Sequence, residues 1–170
     1  MEIPCGERTI RSWRPGDERA LAEYFSNRNV LMNLVARNRY PYTERDAKAW
    51  IDLCAFEADP VNFAIADRHE PIGGIGLTLQ RGARRQSAEI GYWVGEPFWG
   101  RGIATEAVRA FSEFAFAQFD LVRLQAAVFA DNAASVRVLE KAGYAYEGRM
   151  AKSVVKDGRV LDELLYALVR

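Results

Sequence analysis

Apolar and polar residues alternate in some stretches of this 170-residue chain and recur every three or four positions in others. Alternation marks strands and the longer period marks helices. Residues 8–14 (RTIRSWR) set Ile10 and Trp13 among polar positions and read as a strand stopped by Pro15-Gly16. Asp17 is placed to N-cap a helix carrying Ala20, Leu21, Tyr24 and Phe25. Residues 27–40 are a polar connection with short apolar pieces. Thr43 opens a second helix, with Asp46 in the capping-box position and Ala47, Trp50, Ile51 and Cys54 on one face. Strand signals follow at 62–66 and 71–79, the latter with Gly73, Gly74 and Gly76 inside it, a sign of a bulge or close backbone approach. A basic turn (QRGARRQS) leads into a strand ending at Val94. Ile103, Ala107, Ala110, Phe111 and Phe114 then repeat at helical spacing. Residues 121–129 (LVRLQAAVF) suit a buried parallel strand. A helix over 132–142 ends at Gly143, and two strands flank Lys156-Asp157-Gly158, a hairpin signal. The predicted order is βααβββαβαββ. It gives an α/β (α+β) mixed sheet of about seven strands with about four helices on both faces.

Composition narrows the class. Hydrophobic residues make up 49% and charged residues 27%, as in globular chains, and no linker or repeat divides residues 1–170, so one domain is expected. The 23 basic and 23 acidic residues cancel, which argues against a general nucleic-acid binder. Cys5 and Cys54 lack metal-site spacing and read as thiols in a reducing cytoplasm. No apolar run is long enough to span a membrane, and MEIPCGER has no signal-peptide core. His69, the one histidine, lies in a turn and reads as neither metal ligand nor base, so no metal is expected.

The chemistry concentrates in residues 89–107, EIGYWVGEPFWGRGIATEA. A strand leads through a glycine-rich turn into a helix. Glycines there let the backbone take positive φ, the first helical N–H groups lack intrahelical partners, and the helix dipole adds positive potential, so the turn is built for an anion. A P-loop is excluded because GEPFWGRG places Arg101 and Gly102 where Lys and Ser/Thr are needed. A dinucleotide fingerprint nearly fits Gly100, Gly102 and Thr105, with Asp120 downstream. The strand ends too early for it, and no repeated βαβ unit flanks it. The third possibility is an acetyl-coenzyme A turn, [QR]-x-x-G-x-[GA], for which Gly102-Ile103-Ala104 supplies G-x-A while Trp99 replaces the first residue. With this turn, and with a second segment, DNAASVRVLEKAGY, the chain resembles the GCN5-related N-acetyltransferase (GNAT) superfamily over essentially its whole length. IGYW followed by WGRGIATEA is most similar to the branch of the ribosomal-protein-alanine Nα-acetyltransferases (RimJ/RimL-like).

The resemblance implies acetyl-CoA as cosubstrate and direct transfer to a primary amine, most consistent with a protein N-terminal α-amine. A small-molecule amine (polyamine, amino acid or aminoglycoside) is the alternative within enzymes, and a non-catalytic acyl-CoA sensor the alternative outside them. Backbone amides of Arg101, Gly102, Ile103, Ala104 and Thr105 are implied to hold pyrophosphate, with Val94 and Asn132 on the pantetheine arm and Lys141 on a nucleotide phosphate. Glu89 is the candidate base and Ser135 the candidate donor to the departing thiolate, because Leu139 occupies the position where many members carry a tyrosine acid. Arg28, Asn29, Asn33, Arg37 and Arg39 are candidates for substrate contact. Tyr92, Trp93, Phe98, Trp99 and Phe129 form either an aromatic substrate slot or plain core. The expected partners are acetyl-CoA and the amine, with no nucleic acid or membrane. A homodimer, the commonest assembly, is the default for self-association.

Overall fold

The computed structural model describes residues 2–35, 40–56 and 60–170. Its strands are β1 (Glu2–Cys5), β2 (Arg8–Ser12), β3 (Asn62–Ala66), β4 (Pro71–Leu79), β5 (Ser87–Val94), β6 (Arg123–Phe129), β7 (Ala145–Lys156) and β8 (Arg159–Val169). Its helices are α1 (Glu18–Phe25), α2 (Arg28–Leu31), α3 (Glu44–Ala55), α4 (Ile103–Gln118) and α5 (Ala133–Lys141). The strands form one mixed sheet in the order β1-β2-β3-β4-β5-β6-β8-β7.

Alternation along the strands sorts the core into two layers. Phe63 and Ile65 turn to the α4–α5 face, where they join Phe111, Leu124 and Leu139. Ala64, between them, turns to the other face and packs with Trp13, Leu21, Phe25, Ala47 and Ile51 beneath α1 and α3. Each face buries the apolar stripe of its helices, which is the physical content of the predicted α/β layering.

Local signals held well. Thr43 and Asp46 form the capping box. Asp157 and Gly158, with φ of 48° and 76°, make the tight turn between β7 and β8. Two elements go beyond the expected order. β1, only four residues long and containing Pro4, pairs with β2. α2 lies inside the polar connection and is capped by the Asn27 side chain. The first-strand prediction was also too long, since β2 ends at Ser12. Asp17 is the N-cap residue, as expected, its carbonyl accepting from the Leu21 N–H at 2.9 Å, but its carboxylate makes no cap bond. It takes two hydrogen bonds from the Arg11 guanidinium, at 2.7 and 2.9 Å, in a buried pair. The carboxylate is committed to this bidentate charge-assisted pair and to the Arg14 N–H at 3.1 Å.

The feature that positions the site is a gap in the sheet. β5 pairs with β4 over its length, up to Gly73↔Val94. Its parallel pairing with β6 covers only Ser87↔Arg123, Ala88↔Leu124 and Glu89↔Gln125. Beyond Glu89, β5 stays with β4 while β6 follows β8 as far as Phe129↔Glu163. Gly74 matters beside this gap. A Cβ there would sit 2.5 Å from the Trp93 indole nitrogen, so only glycine lets the indole lie against β4.

Candidate active site

The turn after β5 has the geometry of an anion site. Gly100 and Gly102 take φ of 76° and 77°, a region costly for any residue with a Cβ. Space is not the constraint at Gly102, since a Cβ would meet nothing within 4 Å, so the backbone conformation alone requires glycine. The first intrahelical bond runs from the Glu106 N–H to the Gly102 carbonyl at 3.1 Å. The N–H groups of Ile103, Ala104 and Thr105 precede it and lie at the positive end of α4. Trp99, the departure from the family pattern, has a local task. Its indole N–H donates to the Val94 carbonyl at 2.6 Å and ties the turn to the strand end. The Arg101 guanidinium donates to the Pro97 carbonyl at 3.0 Å and lies over the Phe98 ring.

All eight residues expected at the cosubstrate line one cavity of about 360 Å³: Val94, Arg101, Gly102, Ile103, Ala104, Thr105, Asn132 and Lys141. Arg137, which the sequence reading missed, adds a cation to the same wall, one helical turn before Lys141. Asn132 caps α5, its side-chain oxygen accepting from the Ser135 N–H at 3.1 Å.

A second cavity, of about 400 Å³, lies against the α1–α3 face. Glu89 lines it, as do Trp13, Phe25, Tyr42, Trp50 and Trp93. The Glu89 carboxyl is held above the usual glutamate value of 4.5, first by burial and then by the charge of Glu163. Glu163 is itself buried on β8 and accepts a hydrogen bond from the Ser153 hydroxyl at 2.7 Å. Among the described residues that line this cavity, Glu89 is the one charged side chain.

Tyr92 and Ser135 line both cavities and mark their junction. Their hydroxyl oxygens are 2.7 Å apart, and the Tyr92 hydroxyl is 3.3 Å from the Ser135 carbonyl. Burial pushes the Tyr92 phenol up to about 12, against a smaller lowering by the Ser135 bond. Leu139 is fully buried in the core. Tyr144 shares its hydroxyl with Ser112 in the interior, at 2.8 Å.

The candidates for substrate contact divide. Asn33 lines both cavities, whereas Arg28 and Asn29 line neither. Arg28 lies over the Tyr40 ring, and the Asn29 amide donates to Glu96 at 2.8 Å. Arg37 and Arg39 fall outside the described residues. The five aromatics near the motif all reach a cavity wall, Phe129 on the Glu89 side, Phe98 and Trp99 on the turn side, and Tyr92 and Trp93 on both. Trp13, Phe25, Tyr42 and Trp50 were not foreseen as wall residues, because apolar positions on a strand and two helices read as ordinary core. Among the described residues, no group of three or more His, Cys, Asp or Glu side chains is arranged to hold a metal ion.

The acetyltransferase (GNAT) domain model matches residues 8–145. The chain belongs to the GNAT family. It is an N-acetyltransferase by that membership and by its relatives. The uncharacterized N-acetyltransferase p20 of Bacillus licheniformis is 30% identical over 179 residues, covering 100% of this chain and 97% of p20. RimJ of Mycobacterium smegmatis, solved in complex with a CoA disulfide, is 26% identical with a TM-score of 0.85, over 98% of this chain and 84% of that one. At 20% identity, a spermidine N-acetyltransferase of Vibrio cholerae, solved with CoA and spermine, shares the fold, with a TM-score of 0.80 over 96% of this chain and 95% of that one.

Proposed function

We propose that this enzyme transfers acetyl directly from acetyl-CoA to a protein N-terminal α-amine. The observation that carries the reading is the meeting of two cavities at the Tyr92–Ser135 junction, one against the anion turn and the other holding Glu89. The cosubstrate supplies an activated thioester. Backbone N–H groups of 101–105 bind its pyrophosphate, and Arg137 and Lys141 face its phosphates. Glu89 receives the proton of the attacking amine. Ser135 donates a hydrogen bond to the departing sulfur.

The chemistry favours an α-amine. Its pKa of about 7.7–8.0 leaves roughly a quarter to two fifths neutral at about pH 7.5, so a weak carboxylate base suffices. A lysine amine, at about 10.4, needs about 3.5 kcal/mol more than an α-amine to be deprotonated. A polyamine calls for several carboxylates, and the described wall offers one. Buried thiols at Cys5 and Cys54 suit the cytoplasm, where we place the enzyme, as a homodimer by default.

Thiol release from acetyl-CoA, measured over an amine panel, tests this reading. Turnover is expected with peptides carrying free N-termini and not with N-blocked peptides carrying lysine. Turnover with polyamines or aminoglycosides instead would move the enzyme to small-molecule chemistry. Silence across the panel with acetyl-CoA still bound would favour a sensor.

The hydroxyl pair gives a second prediction. A phenol near 12 keeps its proton beside a thiol of about 8.5, and either hydroxyl can donate across the 2.7 Å contact; with Tyr92 donating, the Ser135 hydrogen is free to point at the sulfur. Ser135→Ala should lower kcat about 10-fold or more, as for a bond to a charged group. Tyr92→Phe should cost less, and the double variant no more than Ser135→Ala alone. Additive losses in kcat would show that the two hydroxyls act separately.

A further inference from the structure

We infer that the acceptor carries a large apolar group directly beside its single reactive amine, a deepening that rests on the acetyl-transfer reading above. The inference comes from the walls of the Glu89 cavity. Trp13 comes from the end of β2, Phe25 from α1, Tyr42 from just before α3, Trp50 from α3 and Trp93 from β5. Five aromatic residues from five places in the chain converge on one space. They are held there: the Phe25 ring sits edge-to-face on both Tyr42 and Trp93, with centroids 4.9 Å apart in each pair. Such geometry fixes the rings before anything binds. The space, about 400 Å³, lies in the range of about 300–1,000 Å³ typical of small-ligand sites.

The polarity of the walls selects the occupant. Glu89 matches one ammonium, or the amine it becomes. Asn33, Asn62 and Thr78 offer neutral polar groups near it. Apart from these and the hydroxyl-bearing Ser135, Tyr42 and Tyr92, the wall is aromatic and aliphatic surface, which gains little from glycine or alanine and much from a leucine, phenylalanine or tryptophan side chain. A second charged group in the same space would lose its hydration with no charged partner on the described wall beyond Glu89. Two sources carry the required chemistry: a peptide with a bulky apolar first residue, and a free arylalkylamine.

The test uses the unaltered protein, acetyl-CoA and two substrate series. The first is a set of peptides differing only in the first residue: Gly, Ala, Leu, Phe, Trp, Asp and Lys. The second is phenethylamine and tryptamine beside ethylamine and spermidine. We expect kcat/KM for Leu, Phe or Trp peptides to exceed that for Gly by about 10–100-fold, the discrimination that apolar pockets reach per added group. A comparable preference within the amines, with weak turnover of all peptides, supports the apolar-amine inference and assigns the free amine as its source. A flat series, or one led by Gly, Ala, Asp, Lys or spermidine, overturns this inference and leaves acetyl transfer standing. Silence with every amine, while acetyl-CoA still binds, removes both. Trp50→Ala, with retained acetyl-CoA affinity as evidence of folding, should shrink the Phe-to-Gly ratio toward one. An unchanged ratio in that folded variant also overturns the inference. Should Trp50→Ala fail to fold, the wild-type series decides alone.

Discussion

Glu89→Gln is expected to slow acetyl transfer while making the folded protein harder to unfold. The loss of rate follows from the loss of a base and should be about 100-fold, the low end of general-base effects, because an α-amine needs little help. It should be largest below the pKa of the acceptor amine, where the ammonium must lose its proton inside the site. Above that pKa the amine arrives neutral and the variant should approach wild type. The gain in stability follows from the raised carboxyl pKa. A folded-state pKa above 4.5 means that the native protein binds the Glu89 proton more tightly than the unfolded chain does. Stability therefore falls as pH rises from the ordinary carboxylate value through the raised one, and the cost is fully present above it. Glutamine carries no charge and avoids this cost at neutral pH. Melting temperature and a pH–rate profile, measured on the same pair of proteins, check both halves. An unaltered profile would remove Glu89 as base.

Gly102→Glu should abolish measurable acetyl-CoA binding. Two effects combine. The backbone at φ 77° forces any side-chain residue into a conformation costing about 1–2 kcal/mol. The new carboxylate also stands at the start of α4, where repulsion of a bound pyrophosphate costs several kcal/mol, or about 100-fold and more in affinity. Gly102→Ala separates the two, since it meets the same backbone strain without the charge and has open space for its methyl. It should weaken binding by about 10-fold. Titration calorimetry on folded variants measures both. Unchanged affinity in Gly102→Glu would mean that the cosubstrate's phosphates do not bind at this turn.

What the chain discloses by inspection depends on the range of the interaction. The turn at Gly100–Gly102, the Thr43 capping box and the Asp157-Gly158 hairpin are local, and each was legible because the residues that cause it are neighbours. Asp17 was read rightly as the N-cap residue, but the partner of its carboxylate, Arg11, belongs to the preceding strand, and no rule about helix starts contains it. The wall of Trp13, Phe25, Tyr42 and Trp50 was illegible as a wall for the same reason. Each residue looks like core in its own element, and only the sheet brings them to one side of Glu89. Glu163 was also missed, since nothing in its own strand announces that it faces a glutamate 74 positions earlier. Arg28 and Asn29 were chosen because the resemblance puts substrate recognition in this region, and their neighbours, the Tyr40 ring and Glu96, are equally distant from anything a local rule contains.

Gly74 shows how such a pocket is open to evolutionary change at a single wall position. The position carries only hydrogen where the Trp93 indole rests. A single methyl added there displaces the ring and so reshapes the chamber from a wall position that has no side chain of its own. Lineages that exchange one amine for another need not rewrite the visible contacts. They can retune the chamber through a wall position that offers an acceptor no side chain, and a comparison of acceptor ranges among close relatives would begin with that glycine.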